Sequence, residues 1–506
     1  MSMASPNTFS AALPFLSEGS SLAYAATHFL TRGGGTSIQI DEASGLNAFH
    51  VAAAPISDPS YASSFANSIS VGAFASVQRL LADFDAPYDI AGRDYGTQLE
   101  KLRLRIRDSY SLPHSVDIVF AASSVELEYV ALALGNRDNR SGLANIVLGL
   151  EDADPGCAQA AIGLYAADLT PNGQQVIPGD PVDTELAARI QLTSLPLRDL
   201  ASDPIPSEDI MLSIASAVDL ALREGRQPMV RVVHGSLTGL VAPSTSHLDS
   251  LRRRFGPAMT LIVDATQGRI SRDNIAAYLS RGATVLLSGS KFMGGPPSSA
   301  FALVPAAARS GLIPLPAGFD TVFSRHEWPA SWPGAERLPD LANLGLLTRL
   351  SAAIYELELY ATLAPGELRR VVHQFDAAAK RLMRELAFGS VSVEHSRYTN
   401  EDQARPLEVQ TSVMMDTSRR RLTEDHLAAR GLHLQLINAK LRGSRPVRLG
   451  PPVKALKLPD GRFAGNLTLS LSMPQIVALA AMETGSIADQ LDSDFQIITK
   501  RIRELT

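Results

Sequence analysis

Between residues 115 and 305 of this 506-residue chain, short apolar runs alternate with stretches of helical spacing. Val116–Phe120, Asn145–Leu150, Val230–His234, Thr260–Asp264, Thr284–Leu287 and Phe301–Val304 are each four to six residues long. Runs of that length, bounded by Gly, Ser and Pro, read as buried strands. Strands alternating with helices specify a mainly parallel sheet. In such sheets the loops at the carboxyl ends of the strands build the ligand site. The polar motifs of this chain fall in those loops.

The most informative loop is Ser288-Gly-Ser-Lys291-Phe-Met-Gly-Gly-Pro-Pro297, which lies between two of these runs. A lysine held between core strands is costly unless its amine is neutralised or covalently engaged. Burial also lowers its pKa, which makes the amine a Schiff-base nucleophile. Upstream, the run Thr260–Asp264 ends on a carboxylate. A strand-end acid followed by such a lysine points to pyridoxal 5'-phosphate (PLP), with the acid keeping the pyridine nitrogen protonated and the lysine carrying the aldehyde. Ala121-Ala-Ser123-Ser124-Val125 joins a strand to a helical pattern. A helix start has unpartnered amides and can hold an anion; Ser123 or Ser124 can also serve as a plain N-cap.

Val263-Asp264-Ala-Thr-Gln267, followed by Ser288-Gly-Ser-Lys291, a Gly-Pro turn and a strand, resembles the class V branch of fold-type I PLP enzymes, which contains the cysteine desulfurases. The resemblance runs from about Ser44 to the end of the chain and is sharpest between Ser123 and Val304. It implies an α/β fold, with a large domain built on a mainly parallel, seven-stranded-type sheet between helices and a small α+β C-terminal domain. The expected divisions are an N-terminal arm (1–43), the large PLP-binding domain (44–338), a connecting helix (339–365) and the small domain (366–506). Gln98–Ser111 alternates charged and apolar residues at the spacing of a surface helix, and the small domain's pattern places strands near Val391–Val393 and at Val409–Met415.

The resemblance also implies a homodimer with a shared active site, and PLP held on Lys291 as an internal aldimine. Asp264 is then expected at the pyridine nitrogen and Gln267 and Ser236 at the phenolic oxygen. Ser123, Ser124, Val125 and Ser288 are expected at the phosphate. An amino-acid substrate would react through an external aldimine and a Cα carbanion, with the freed lysine as base. Asn47, in Ser44-Gly-Leu-Asn47-Ala-Phe-His50, is either a substrate contact or part of a turn.

Several positions depart from the family. No histidine or aromatic follows Asn145–Leu150 to cover the pyridine ring; Glu151, Asp152 and Asp154 stand there, where acids also suit a helix start. Cys157 lies on that helix and not on the mobile loop after the lysine, so persulfide chemistry is not expected. His234 could cover the ring, act as an acid/base or be structural. Trp328 and Trp332 line a substrate pocket or fill a subunit interface. Thr468 stands where relatives carry an arginine for the substrate carboxylate, and a hydroxyl cannot replace a bidentate guanidinium. Either Arg445 or Arg448 takes that role, or the substrate is not a simple amino acid. These features favour elimination or replacement at the β or γ carbon, a lyase or transferase of specialised metabolism. An aminotransferase and a non-catalytic PLP-binding protein are the alternatives.

Composition bounds the reading. Hydrophobic residues at 45% with 19% charged describe a globular protein. A net charge of −6 argues against a general nucleic-acid surface. The single cysteine excludes an intramolecular disulfide framework and fits a reducing cytoplasm. No apolar run reaches the roughly 18 residues of a membrane span. The expectation is a cytoplasmic protein with no membrane, nucleic-acid or metal partner.

Overall fold

In the computed structural model, described at residues 18–84, 91–138, 141–154, 156–390, 406–418, 423–438 and 445–505, the apolar runs form one main sheet. Its strands are β1 (Asp117–Ala121), β2 (Leu143–Leu148), β3 (Ile190–Leu195), β4 (Gln227–His234), β5 (Thr260–Asp264), β6 (Thr284–Ser288) and β7 (Ala300–Val304). They lie in the order β1-β7-β6-β5-β4-β2-β3, and Val241–Ala242 adds a short antiparallel partner to β4. β7 runs antiparallel to β1 and β6; the other neighbours along the sheet are parallel.

Successive side chains on a strand point to opposite faces, and here both faces are covered. Ile118, Phe120, Leu261, Val263, Phe301 and Leu303 belong to one core cluster. Val119, Ala121, Ile262, Ala300, Ala302 and Val304 belong to the other. That burial on both sides is why the inner strands are largely apolar rather than alternating, whereas the edge strand β3, Ile-Gln-Leu-Thr-Ser-Leu, is half exposed.

The helices that matter for the site are α1 (Glu18–Leu30), α2 (Val71–Ala82), α3 (Gly92–Tyr110), α4 (Ser124–Gly135), α5 (Leu344–Ala361), α6 (Pro365–Leu386) and α7 (Thr484–Leu505). The N-terminal helix α1 packs against α2 and α5. The stretch expected as a surface helix at 98–111 lies in α3 up to Tyr110, with Ser111 as the C-cap, and buries Leu99, Leu102 and Ile106 on the helix that packs against α5. The expected connecting helix begins only at Leu344, where the Asn343 side chain accepts from Leu346 N (2.9 Å) and caps it. α5 is buried nearly all round, as a helix without a polar face must be.

After α6 comes a small antiparallel sheet, β8 (Gly389–Ser390), β9 (Ser412–Asp416) and β10 (Asn466–Ser470), in that order. The strand expected near 391–393 lies outside the described residues. The one expected at 409–415 is 3-10 turn for its first three residues and strand only from Ser412. The N-terminal segment crosses to this region. Ser60–Tyr61 pairs in parallel with Arg448–Leu449, and Ser64 N donates to Ser470 Oγ (3.0 Å). Among the described residues no helix is long and apolar enough to cross a membrane.

Two buried polar groups lock the frame. Arg349 on α5 is fully buried and donates to the carbonyls of Ser298 (2.7 Å), Gly33 (2.7 Å) and Arg32, joining the end of α1 to the loop before β7. Replacing it with Met strands those carbonyls, each worth roughly 1–3 kcal/mol when buried. Arg349→Met should therefore lower stability by about 3 kcal/mol or more in a urea titration. His234 on β4 is buried against Tyr278, with Nδ1 2.9 Å from its hydroxyl, and burial pushes the imidazole from 6.5 down to about 4. The unfolded chain thus binds a proton that the folded chain refuses, so stability should fall as pH is lowered from about 6.5 to about 4. His234→Gln should flatten that slope, by no more than about 3 kcal/mol over the window, as read from urea midpoints against pH.

Candidate active site

Five of the main-sheet strands deliver their carboxyl ends to one place. After β6, the loop places Lys291 in the interior with only 5% of its surface exposed. Asn67 fixes its backbone, donating from Nδ2 to the Lys291 carbonyl (2.6 Å) and to that of Ser290 (3.2 Å). The amine itself is held by Asp154, with Nζ 2.8 and 2.7 Å from the two carboxylate oxygens. Ser124, at the start of α4, donates from its hydroxyl to Asp154 Oδ2. Burial disfavours the ionised form of Asp154, but the Lys291 ammonium and the Ser124 hydroxyl outweigh it and hold the carboxyl below its usual value.

The lysine–aspartate pair stands between two spaces. On one side is a cavity of about 370 Å³ whose walls include Ser123, Ser124, Val125, Ser288, Phe49 and Phe65. On the other is a narrow cleft that includes Asp152, Ser236, Asp264, Thr266 and Gln267. Asp154 and Lys291 line both.

The cleft is built from carboxylates at strand ends. Asp264, the last residue of β5, accepts at Oδ1 from Thr266 N (3.0 Å) and Thr266 Oγ1 (2.7 Å). Behind it the buried Arg231 of β4 pairs with Glu128 on α4 and lies 3.9 Å from Asp264 Oδ2. Asp152 follows β2 and accepts from Ser236 Oγ (2.8 Å) and Thr238 Oγ1 (2.8 Å), with Arg198 at 3.3 Å. Gln267 Oε1 accepts from Arg269 (3.2 Å).

At the cavity end, Ser123 caps α4, accepting from Val125 N (3.0 Å) and donating to Glu126 Oε2 (2.5 Å). Burial pushes the Glu126 carboxyl up against that hydrogen bond, favouring its neutral form. Ser288 Oγ lies 2.8 Å from Ser290 Oγ.

The structure thus gathers Lys291, Asp264, Ser123, Ser124, Val125, Ser236, Gln267 and Ser288 around one site. It does not bring the other candidates there. Asn47 accepts from Phe49 N (2.9 Å) and Val51 N (3.3 Å), the turn role, and lines neither space. Arg445 donates to Ser57, and Arg448 donates to the His50 carbonyl and lies 3.8 Å from Asp58; both hold the N-terminal segment. Thr468 is buried in β10, its hydroxyl without a hydrogen-bond partner. Trp328 and Trp332 are core residues, stacked edge to face at 4.9 Å, with Trp332 Nε1 donating to Asp117 (2.7 Å). Cys157 is buried, and burial raises its thiol well above the ordinary value, so it is no nucleophile.

Asp154 was visible in the sequence as one of three acids after a strand and reads there as a helix-start charge. Its position in the same layer as the lysine loop was the available signal. Asn67 and Arg231 carried none.

No protein-family model matches this sequence, and no curated protein matches it. Solved structures do. The complex of a cystine C–S lyase with its product cysteine persulfide aligns at a TM-score of 0.52 with 12% identity, over 87% of this chain and 97% of that one. A variant of that lyase with glycine covalently linked to its PLP cofactor gives 0.52 and 12%, over 87% and 96%. A NifS-like protein gives 0.50 and 10%, over 86% and 100%. By its sheet order and these likenesses, the chain has the fold of the fold-type I PLP-dependent enzymes.

Proposed function

We propose that this chain is a PLP-dependent enzyme that acts on an amino-acid substrate, with Lys291 as the attachment point. One observation carries the reading: a buried lysine amine stands at the mouth of a cleft that a strand-end carboxylate, Asp264, also lines. The residues present fit the cofactor. Asp264 is oriented by Thr266 and backed by Arg231, which suits an acid facing a protonated ring nitrogen. Ser236 and Gln267 supply polar groups beside it. The first turn of α4, with Ser123, Ser288 and Ser290, supplies amides and hydroxyls for a phosphate. Glu126 in that turn would oppose an anion if ionised, and burial favours its neutral form.

When bound, PLP supplies an electron sink for the pair left at the substrate's α carbon. Asp264 would hold the ring nitrogen protonated. Lys291 Nζ takes the proton from the α carbon, at a position fixed by the Asn67 grip on its backbone. Phe49 and Phe65 give the cavity an apolar wall on one side.

Elimination or replacement at the β or γ carbon is the reaction we favour. Transamination needs recognition of a second carboxylate-bearing partner, and Thr468, Arg445 and Arg448 offer no guanidinium to this cavity. The likeness to a cystine C–S lyase supports the same class. A homodimer is part of the proposal.

Adding PLP should give the wild-type protein a visible absorption band that Lys291→Ala lacks. Lys291→Ala should lower elimination turnover by roughly 10²–10⁴-fold. Asp264→Asn should keep the band and lose turnover. A wild-type protein with no band at saturating PLP would overturn the reading.

A further inference from the structure

We propose that the cavity beside Lys291 selects an amino acid with an apolar side chain of aromatic size, and that Phe49 and Phe65 are the residues that read it. This rests on the reading of Lys291 as the attachment point and deepens it by naming the substrate class.

Lys291 lines the cavity of about 370 Å³, so a molecule joined at that amine has its remaining atoms between the same walls. The volume is at the small end of ligand pockets, which suits one compact side chain rather than an extended one. Phe49 and Phe65 are both half-buried, with ring centroids 5.7 Å apart and planes tilted by 56°. Neither ring belongs to the two core clusters of the fold. Their apolar surface is turned to the cavity instead. Phe65 is also tied to the lysine loop, because Asn67, two residues on, donates to the Lys291 carbonyl (2.6 Å).

The remaining walls agree with these two. Tyr129 and Tyr165 line the cavity with their hydroxyls already engaged by the protein. The first donates to the Leu164 carbonyl (2.8 Å), and the second lies 2.7 Å from Thr321 Oγ1. Tyrosines bonded in this way offer a ligand their rings. Leu169 and Val322 add aliphatic surface. Polar side chains of the same walls are occupied as well: Thr36 donates to Asp168 (3.2 Å), Thr170 accepts from Gln174 N (3.1 Å), and Glu126 accepts from Ser123. A charged or hydrogen-bonding side chain pressed against these rings gives up its water without regaining the bonds. An apolar ring leaves water and packs edge or face against aromatic partners.

The test separates the choice of side chain from the chemistry. N-(5'-phosphopyridoxyl) conjugates of L-phenylalanine, L-leucine, L-alanine and L-aspartate join cofactor and amino acid by a stable carbon–nitrogen single bond. Protein freed of cofactor can bind them but cannot turn them over, and calorimetry reads the affinities. The phenylalanine conjugate should bind roughly tenfold or more tighter than the alanine conjugate, with aspartate the weakest. Phe65→Ala should remove most of that preference and leave the alanine conjugate nearly unchanged. Phe49→Leu, a milder change that serves if Phe65→Ala does not fold, should reduce it in part. Equal affinities in wild type, or tighter binding of aspartate, would overturn the proposal and leave the PLP reading standing. So would a preference that neither variant alters. Binding of no conjugate beside a normal PLP band would overturn the proposal alone, and binding of none with no band would sink both.

Discussion

A charged amine cannot stay in a protein interior without an anion beside it, and the centre of this molecule is arranged around that requirement. Lys291 is brought in by the loop after β6, and its counter-ion by the loop after β2. Ser124 at the start of α4 ties the third element to the same point. The ion pair thus fixes the relative positions of three loops that share no sequence neighbourhood.

Around the pair, carboxylates outnumber what a buried site normally tolerates, and each is matched locally. Arg231 stands between Glu128 and Asp264, Arg198 faces Asp152, and Lys291 faces Asp154. Glu126 has a hydroxyl rather than a cation and is pushed toward its neutral form. The site is acidic in composition while its charges are mostly neutralised pair by pair. An incoming group meets oriented side chains that need little rearrangement.

Most of the sheet could be read from the chain because strands buried on both faces leave a plain mark, an unbroken apolar run. Lys291 and Asp264 could be read because polar residues at the ends of such runs have few structural uses. Asp154 could not, since its meaning lies in a contact with a residue far along the chain. The two tryptophans misled for a related reason. Prolines and charges around Trp328 and Trp332 look like surface, yet the 3-10 turns of that stretch fold both rings into the core beneath β1. Arg445 and Arg448 were the natural replacements for a missing guanidinium by distance in sequence alone. The N-terminal segment claims both, and no pattern in 445–448 records that.

That claim has a mechanical side. Residues 50–64 are laced to the C-terminal region by Arg445, Arg448, a parallel strand pair and the Ser470 hydroxyl. Phe49 and Phe65, at either end of the laced segment, face each other at 5.7 Å and form part of the cavity wall. The wall is therefore braced from both sides: the C-terminal region holds it through Ser64 and Ser470, and the lysine loop through Asn67, two residues beyond Phe65. A shift of the small antiparallel sheet against the large one would be felt at the backbone of Lys291 as well as at the cavity wall.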